Sequence, residues 1–159
     1  MFKPCDLIIV DNDTSWIGRI ISFVTRSPFV HVATVVAEDG SVIEGAPQGV
    51  VNNNIETFKD FELYRVTDIT PDQISKVIDF LKSELGRPYD FGAIVYLLWL
   101  IITFNTKARN AWDDANKWTC TELVATAFAT AGIVFRDDIP LANISANDIA
   151  TSDIVEEVL

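Results

Sequence analysis

Thr119-Cys120-Thr121-Glu122-Leu123-Val124 reads as the start of a helix. Threonine is a good N-cap, and a glutamate three residues later completes the form of a capping box. Behind it, Leu123, Val124, Ala127, Phe128 and Ala131 fall on one face at helical spacing, and Gly132 is a C-terminal stop. Cys120 therefore takes the first helical position. Unsatisfied backbone N–H groups and the positive end of the helix dipole favour an anion there. A thiol at such a place loses its proton more readily than at its free value of about 8.5. The same amides suit a developing oxyanion. The competing reading is a small apolar residue tucked under a helix.

A nucleophilic thiol needs a base, and His31 is the only histidine in the chain. A histidine at a strand start also has a purely structural reading. His31–Ala37 is rich in β-branched residues, Glu38-Asp39-Gly40 follows as a turn, and Ser41–Glu44 resumes an extended pattern, so the pair reads as a hairpin. Its loop decides the third member of the site. With the four-residue loop Ala37–Gly40, Val36 pairs with Ser41 and Glu44 falls opposite Ala33. Glu44 then shares a face with His31, one diagonal step of roughly 7–8 Å away. A three-residue loop would turn Glu44 to the other face, and a two-residue Asp39-Gly40 turn would keep the face but lengthen the distance. An exposed glutamate on an edge strand is the alternative.

Further out, Leu7–Val10 is an apolar strand ended by Asp11-Asn12-Asp13. Ser15 caps an expected helix with Trp16, Ile17, Ile20, Ile21 and Val24 on one face, stopped at Ser27-Pro28. Gly49–Asn52 and Phe61–Val66 read as strands. Thr70-Pro71-Asp72-Gln73 opens a helix whose buried stripe is Ile74, Val77, Ile78, Leu81 and Leu85, with Gly86 closing it. Phe91 to Phe104 is 14 residues without a charge, short of the roughly 20 that span a bilayer. It reads as a buried helix, with interfacial membrane contact as the secondary reading. A polar stretch runs from Asn105 to Lys117. Strands first and helices after them predict a single α+β domain over 1–159, its antiparallel sheet packed against helices.

Composition narrows the function classes. The chain has 159 residues, 49% of them hydrophobic, with ten Phe and four Trp, enough for a core without a staple. Cys5 and Cys120 lie too far apart for a zinc or disulfide spacing, so both are expected as free thiols. One histidine and two scattered cysteines make a poor metal site, and no metal or other cofactor is expected. A net charge of −11 argues against nucleic acid as partner and suits an amine-bearing substrate. No signal peptide is recognisable, so a cytoplasmic protein is expected. A role at a cell wall would need another export route, or release by lysis as for a phage-delivered protein.

Taken together, Asp6–Val10, Ser27-Pro28-Phe29-Val30-His31-Val32-Ala33, Val42-Ile43-Glu44-Gly45-Ala46, Gly86-Arg87-Pro88-Tyr89-Asp90 and Trp118–Val124 resemble the permuted NlpC/P60 proteins. These are the circularly permuted papain-like group, in which histidine precedes cysteine, and the likeness is to the bacterial YiiX/YebB-like branch. Lecithin–retinol acyltransferase-like proteins are more distant relatives. The resemblance spans roughly Asp6 to Ala131 and implies a papain-like fold with Cys120 as nucleophile, His31 as base and Glu44 as the third polar residue. Cys5 stands where the group usually has glycine, and Thr121 where serine is common.

The expected function is a cysteine hydrolase, amidase- or peptidase-like, that forms an acyl-enzyme on peptide-like amides, cell-wall peptides among them. The alternatives are acyl transfer or hydrolysis on an acyl-lipid substrate, with Phe91–Phe104 at a membrane surface, and a binding module that keeps the fold without the chemistry.

Overall fold

The computed structural model describes residues 1–11, 29–103 and 116–158. The helix expected from Ser15 to Val24, its Ser27-Pro28 stop and most of the polar stretch from Asn105 lie outside the described residues. Six strands, β1 (Leu7–Asp11), β2 (Phe29–Val35), β3 (Ser41–Ala46), β4 (Gly49–Asn54), β5 (Phe61–Val66) and β6 (Val155–Glu157), form one sheet in the order β4-β3-β2-β1-β5-β6. Every neighbouring pair is antiparallel. Four α-helices are described: α1 (Pro71–Ser83), α2 (Phe91–Ile102), α3 (Cys120–Thr130) and α4 (Ala146–Ala150). The mixed α+β class expected from the sequence is observed. The short β6, which closes the β5 side of the sheet after the last helix, had no strand pattern long enough to read.

Alternation along the strands sends side chains to two faces. Leu7, Ile9, Val32, Ile43 and Val66 join one buried cluster with Leu81, Leu123, Val124 and Phe128 of the helices. The intervening Ile8, Ala33, Val35, Val42 and Leu63 form a second cluster, against which Phe2, Phe58 and Phe61 pack. Leu123, Val124 and Phe128 are fully buried, and each contributes about 1.5–3 kcal/mol relative to exposure. These residues hold α3 against α1, β2 and β3.

The hairpin takes the four-residue loop. Val36 N–H donates to Ser41 at 2.8 Å and Gly40 N–H to Ala37 at 3.2 Å, which sets Ala33 opposite Glu44. Gly40 supplies the left-handed backbone the turn requires, with φ at 83°. β3 lies between β2 and β4, so Glu44 is on an interior strand and buried, not on an edge.

Helix α1 begins as expected, with Thr70 and Gln73 in a reciprocal capping box and proline in the first turn. Val77 and Leu81 are its buried residues and Ile74 and Ile78 pack partly against the core, but Leu85 is exposed. The helix ends at Ser83, so Leu85 lies past its last turn and off the stripe.

The expectation of a buried helix over Phe91–Phe104 needs a larger correction. α2 ends at Ile102, and Phe91, Val95, Trp99 and Ile102 are all exposed, while Ala93 and Leu100 are buried. The exposed residues are spaced by four, four and three, which places them on one side of a helix. An apolar run without polar positions carries no sign of which side faces solvent, so periodicity could not show this. Among the described residues no helix is long and apolar enough to cross a membrane.

Candidate active site

The site is assembled where β2 and β3 part. Their ladder ends at Ala33–Glu44. Beyond that pair, the start of α3 lies against Gly45: a Cβ placed there would come within 3.2 Å of both the Cα and the amide nitrogen of Cys120. Glycine permits this approach because it presents no side chain to the helix. Thr119 caps α3, its hydroxyl accepting the Glu122 N–H at 3.2 Å. That is the Thr119 half of the expected capping box, and it leaves Cys120 as the first helical residue.

His31 is the third residue of β2 and stacks on Phe58, with ring centroids 6.1 Å apart and planes 23° from parallel. Its Nε2 lies 2.5 Å from Oε2 of Glu44. The other carboxylate oxygen, Oε1, accepts the side-chain amide of Asn53 at 2.9 Å. With Nε2 engaged by Glu44, Nδ1 is the ring nitrogen left for the cysteine. The imidazole and the Cys120 thiol are within hydrogen-bonding contact. Residues 31, 44 and 120 are thus brought together, as the sequence reading required.

Electrostatics follow from this geometry. Burial opposes charge on His31, but the neighbouring Cys120 and then Glu44 outweigh it, and the imidazole pKa is pushed up to about 10. Burial likewise opposes a thiolate at Cys120. The His31 charge and hydrogen bond, the Val32 backbone N–H and the Tyr89 hydroxyl reverse this and lower its pKa. Burial also works against an ionised Glu44, yet the bonds from His31 and Asn53 hold its pKa below the usual value. At neutral pH the arrangement favours thiolate, imidazolium and carboxylate in a row.

Two polar residues of this site were not singled out as functional from sequence. Asn53 fixes Glu44, and only the β3–β4 register, which pairs Val42 with Asn53, puts it within reach. Tyr89 bonds the cysteine sulfur, and its place is set by the backbone around it. Val50 N–H donates to Arg87 at 2.8 Å, Trp118 N–H to Pro88 at 3.1 Å and Asp90 N–H to Trp118 at 2.9 Å. Gly49 makes the close passage possible, since a Cβ there would lie 2.6 Å from the Arg87 oxygen. Asp90 then accepts the Ala93 N–H at 2.8 Å and starts α2.

Cys5 contrasts with Cys120. It is buried with φ at 70°, and burial together with the Asp6 charge pushes its thiol up to about 12. Its sulfur lies 3.9 Å from the Ile74 oxygen, in the core and apart from the residues gathered around His31. The left-handed backbone at this position explains why glycine suits it.

No protein-family model matches the chain, and no curated protein matches it in sequence. Among solved structures, the crystal structure of metalloprotein yiiX from Escherichia coli O157:H7, a DUF1105 protein, matches with a TM-score of 0.74, covering 99% of this chain and 96% of that one. The identity is 17%, so what the two chains share is the fold.

Proposed function

We propose that this chain is a cysteine-dependent hydrolase of peptide-like amides, built on a circularly permuted papain-like fold and acting through Cys120, His31 and Glu44. The observation that carries the reading is the row of buried thiol, half-buried imidazole and buried carboxylate at a helix N-terminus, with each pKa moved toward the charged form. The Cys120 thiolate attacks the substrate carbonyl carbon, and the carbonyl electrons move to oxygen. Collapse of this intermediate expels the leaving amine, which takes the proton held by the His31 imidazolium. Water then attacks the thioester. His31 accepts its proton, and the sulfur leaves as thiolate, which restores the thiolate–imidazolium pair. Glu44 keeps the imidazole oriented and favours its charged state, and Asn53 keeps Glu44 in place.

The metal named for the YiiX structure has no obvious home here: among the described residues there is no group of three His, Cys, Asp or Glu able to hold one.

Acyl-lipid chemistry is the second reading, and one observation favours it: the exposed apolar side of α2 starts at Phe91, whose ring meets that of Tyr89 at 4.9 Å. An acyl chain or a lipid surface would suit that side.

The test is a panel of peptide amides, wall-peptide fragments and phospholipids offered to the wild-type chain and to Cys120→Ala and His31→Ala. Turnover should be abolished in both variants, with circular dichroism unchanged. Full activity in Cys120→Ala, on a substrate that the wild type cleaves, would end the proposal. Ester cleavage in phospholipid with no amide cleavage would select the second reading. Labelling of Cys5 and Cys120 at equal rates by a thiol probe would favour a binding module.

A further inference from the structure

We infer that helix α2 docks the protein on a neutral lipid surface, laying its row of Phe91, Val95, Trp99 and Ile102 into the bilayer interface. The inference goes beyond the hydrolase reading and stands or falls without it.

Each of the four residues keeps 50–61% of its surface open, and no residue of α2 carries a charge. Among the described residues the other exposed large hydrophobics, Met1, Leu85, Val134 and Val158, lie singly outside the helices and strands. Half-open side chains of this size give the row about 400 Å², the scale at which an apolar patch on a monomer marks an interaction site. The helix cannot turn to hide it, because Ala93 and Leu100 are buried in the core.

Area and charge choose the occupant. A stable protein interface needs about 800 Å² from each partner, twice what the row offers. Two copies meeting through α2 would also bring a charge of −11 against −11. A bilayer surface requires no matched shape, and an uncharged one does not repel an acidic chain. The 12 residues of α2 measure about 18 Å, short of the roughly 30 Å of a hydrocarbon core. The exposed positions follow one side from the first residue to the last, so the helix lies along the surface. Trp and Phe are among the side chains that favour this interfacial depth.

The helix ends suit a setting poor in water. At the start, the Asp90 carboxylate accepts the Ala93 N–H at 2.8 Å. At the end, the Thr103 hydroxyl donates to the carbonyls of Trp99 at 2.9 Å and Leu100 at 3.2 Å. These bonds satisfy groups whose removal from water would otherwise be costly. Position links the row to the candidate site. The Asp90 N–H donates to the Trp118 carbonyl at 2.9 Å, two residues before Cys120, so docking holds the Cys120 end of α3 near the lipid.

The test is co-sedimentation with phosphatidylcholine vesicles, with folding checked by circular dichroism. Wild type, Cys120→Ala and the control Val134→Gln should pellet alike. Ile102→Gln should partition about tenfold less, and the double variant Val95→Gln/Trp99→Gln about 100-fold less, from the apolar area each removes. Wild type left in the supernatant, or folded α2 variants that pellet as it does, would overturn the proposal. Loss of binding in Cys120→Ala would overturn it by placing the lipid in the cleft. Tighter binding to phosphatidylglycerol vesicles at low salt would overturn the neutral surface. A wild-type dimer in analytical ultracentrifugation, dissociated by the double variant, would overturn it in favour of a second copy. Cys120→Ala is inactive under the hydrolase reading, so its pelleting separates a failure of docking from a failure of catalysis.

Discussion

Gly45 lies directly beneath Cys120, and a methyl group there would fit only if the helix head gave way slightly: a Cβ at Gly45 would stand 3.2 Å from the Cys120 Cα, 3.2 Å from its nitrogen and 3.3 Å from the Thr119 carbonyl carbon. All three are backbone atoms at the head of α3, so no side-chain rotation relieves the contact. Gly45 also follows Glu44 directly, so two consecutive residues of β3 supply the carboxylate and the seat of the nucleophile.

Gly45→Ala is therefore expected to lift the start of α3 by a few tenths of an ångström. Overpacking of this kind costs about 1–3 kcal/mol, which urea unfolding would read. Iodoacetamide reactivity of Cys120 should fall with it, because the thiol moves off the imidazole. Unaltered stability and reactivity together would show that the helix head is not tightly seated on β3.

His31 can be followed alone, since the chain has no other histidine. An NMR titration of a tag-free protein should place its midpoint near 10, and Glu44→Gln and Cys120→Ala should each lower it. The raised value fixes the sign for stability. The contribution of this group is complete below its ordinary value of 6.5 and is lost as pH rises through about 10. Urea midpoints of wild type should thus decline, relative to Glu44→Gln, as pH increases across that interval.

The two cysteines should differ sharply toward a soluble alkylating reagent between pH 6 and about 8, a window below the free thiol value. Cys120, with its pKa lowered by His31, should label, whereas Cys5, buried and pushed up to about 12, should not. Adding denaturing urea should bring the two to the same rate. Fast labelling of Cys5 in the native protein would contradict its burial.

Helix α2 should show two sides on mutation. Leu100 is fully buried whereas Trp99 is 51% exposed, so Leu100→Ala should cost about 2–5 kcal/mol. Trp99→Gln should cost less than about 1 kcal/mol, the scale of surface changes. Equal losses in urea unfolding would mean that the outer side of α2 is packed in solution.

Much of the site was legible in local patterns, because local patterns are what cap a helix and close a hairpin. Thr119 as N-cap, Cys120 at the first helical position and the lone His31 follow from neighbours within a few residues. The Glu44 assignment was conditional, since three loop lengths give three registers. The four-residue loop was settled by the strand pairing and by Gly40, whose carbonyl receives the Ile55 N–H at 2.9 Å.

What the sequence by itself determined was the succession of strands β1 to β5 followed by helices α1 to α3, the α+β class, and the chemical types at positions 31, 44 and 120. Tertiary structure alone decided that Asn53 and Tyr89 join them, that Cys5 is set apart in the core, and that α2 exposes Phe91, Val95, Trp99 and Ile102. The physical reason is range. Caps, turns and periodicity act over a few residues, whereas Tyr89 reaches Cys120 through backbone bonds between segments far apart in the chain. The exposed side of an all-apolar helix depends on what packs against it, and no residue within the helix states that.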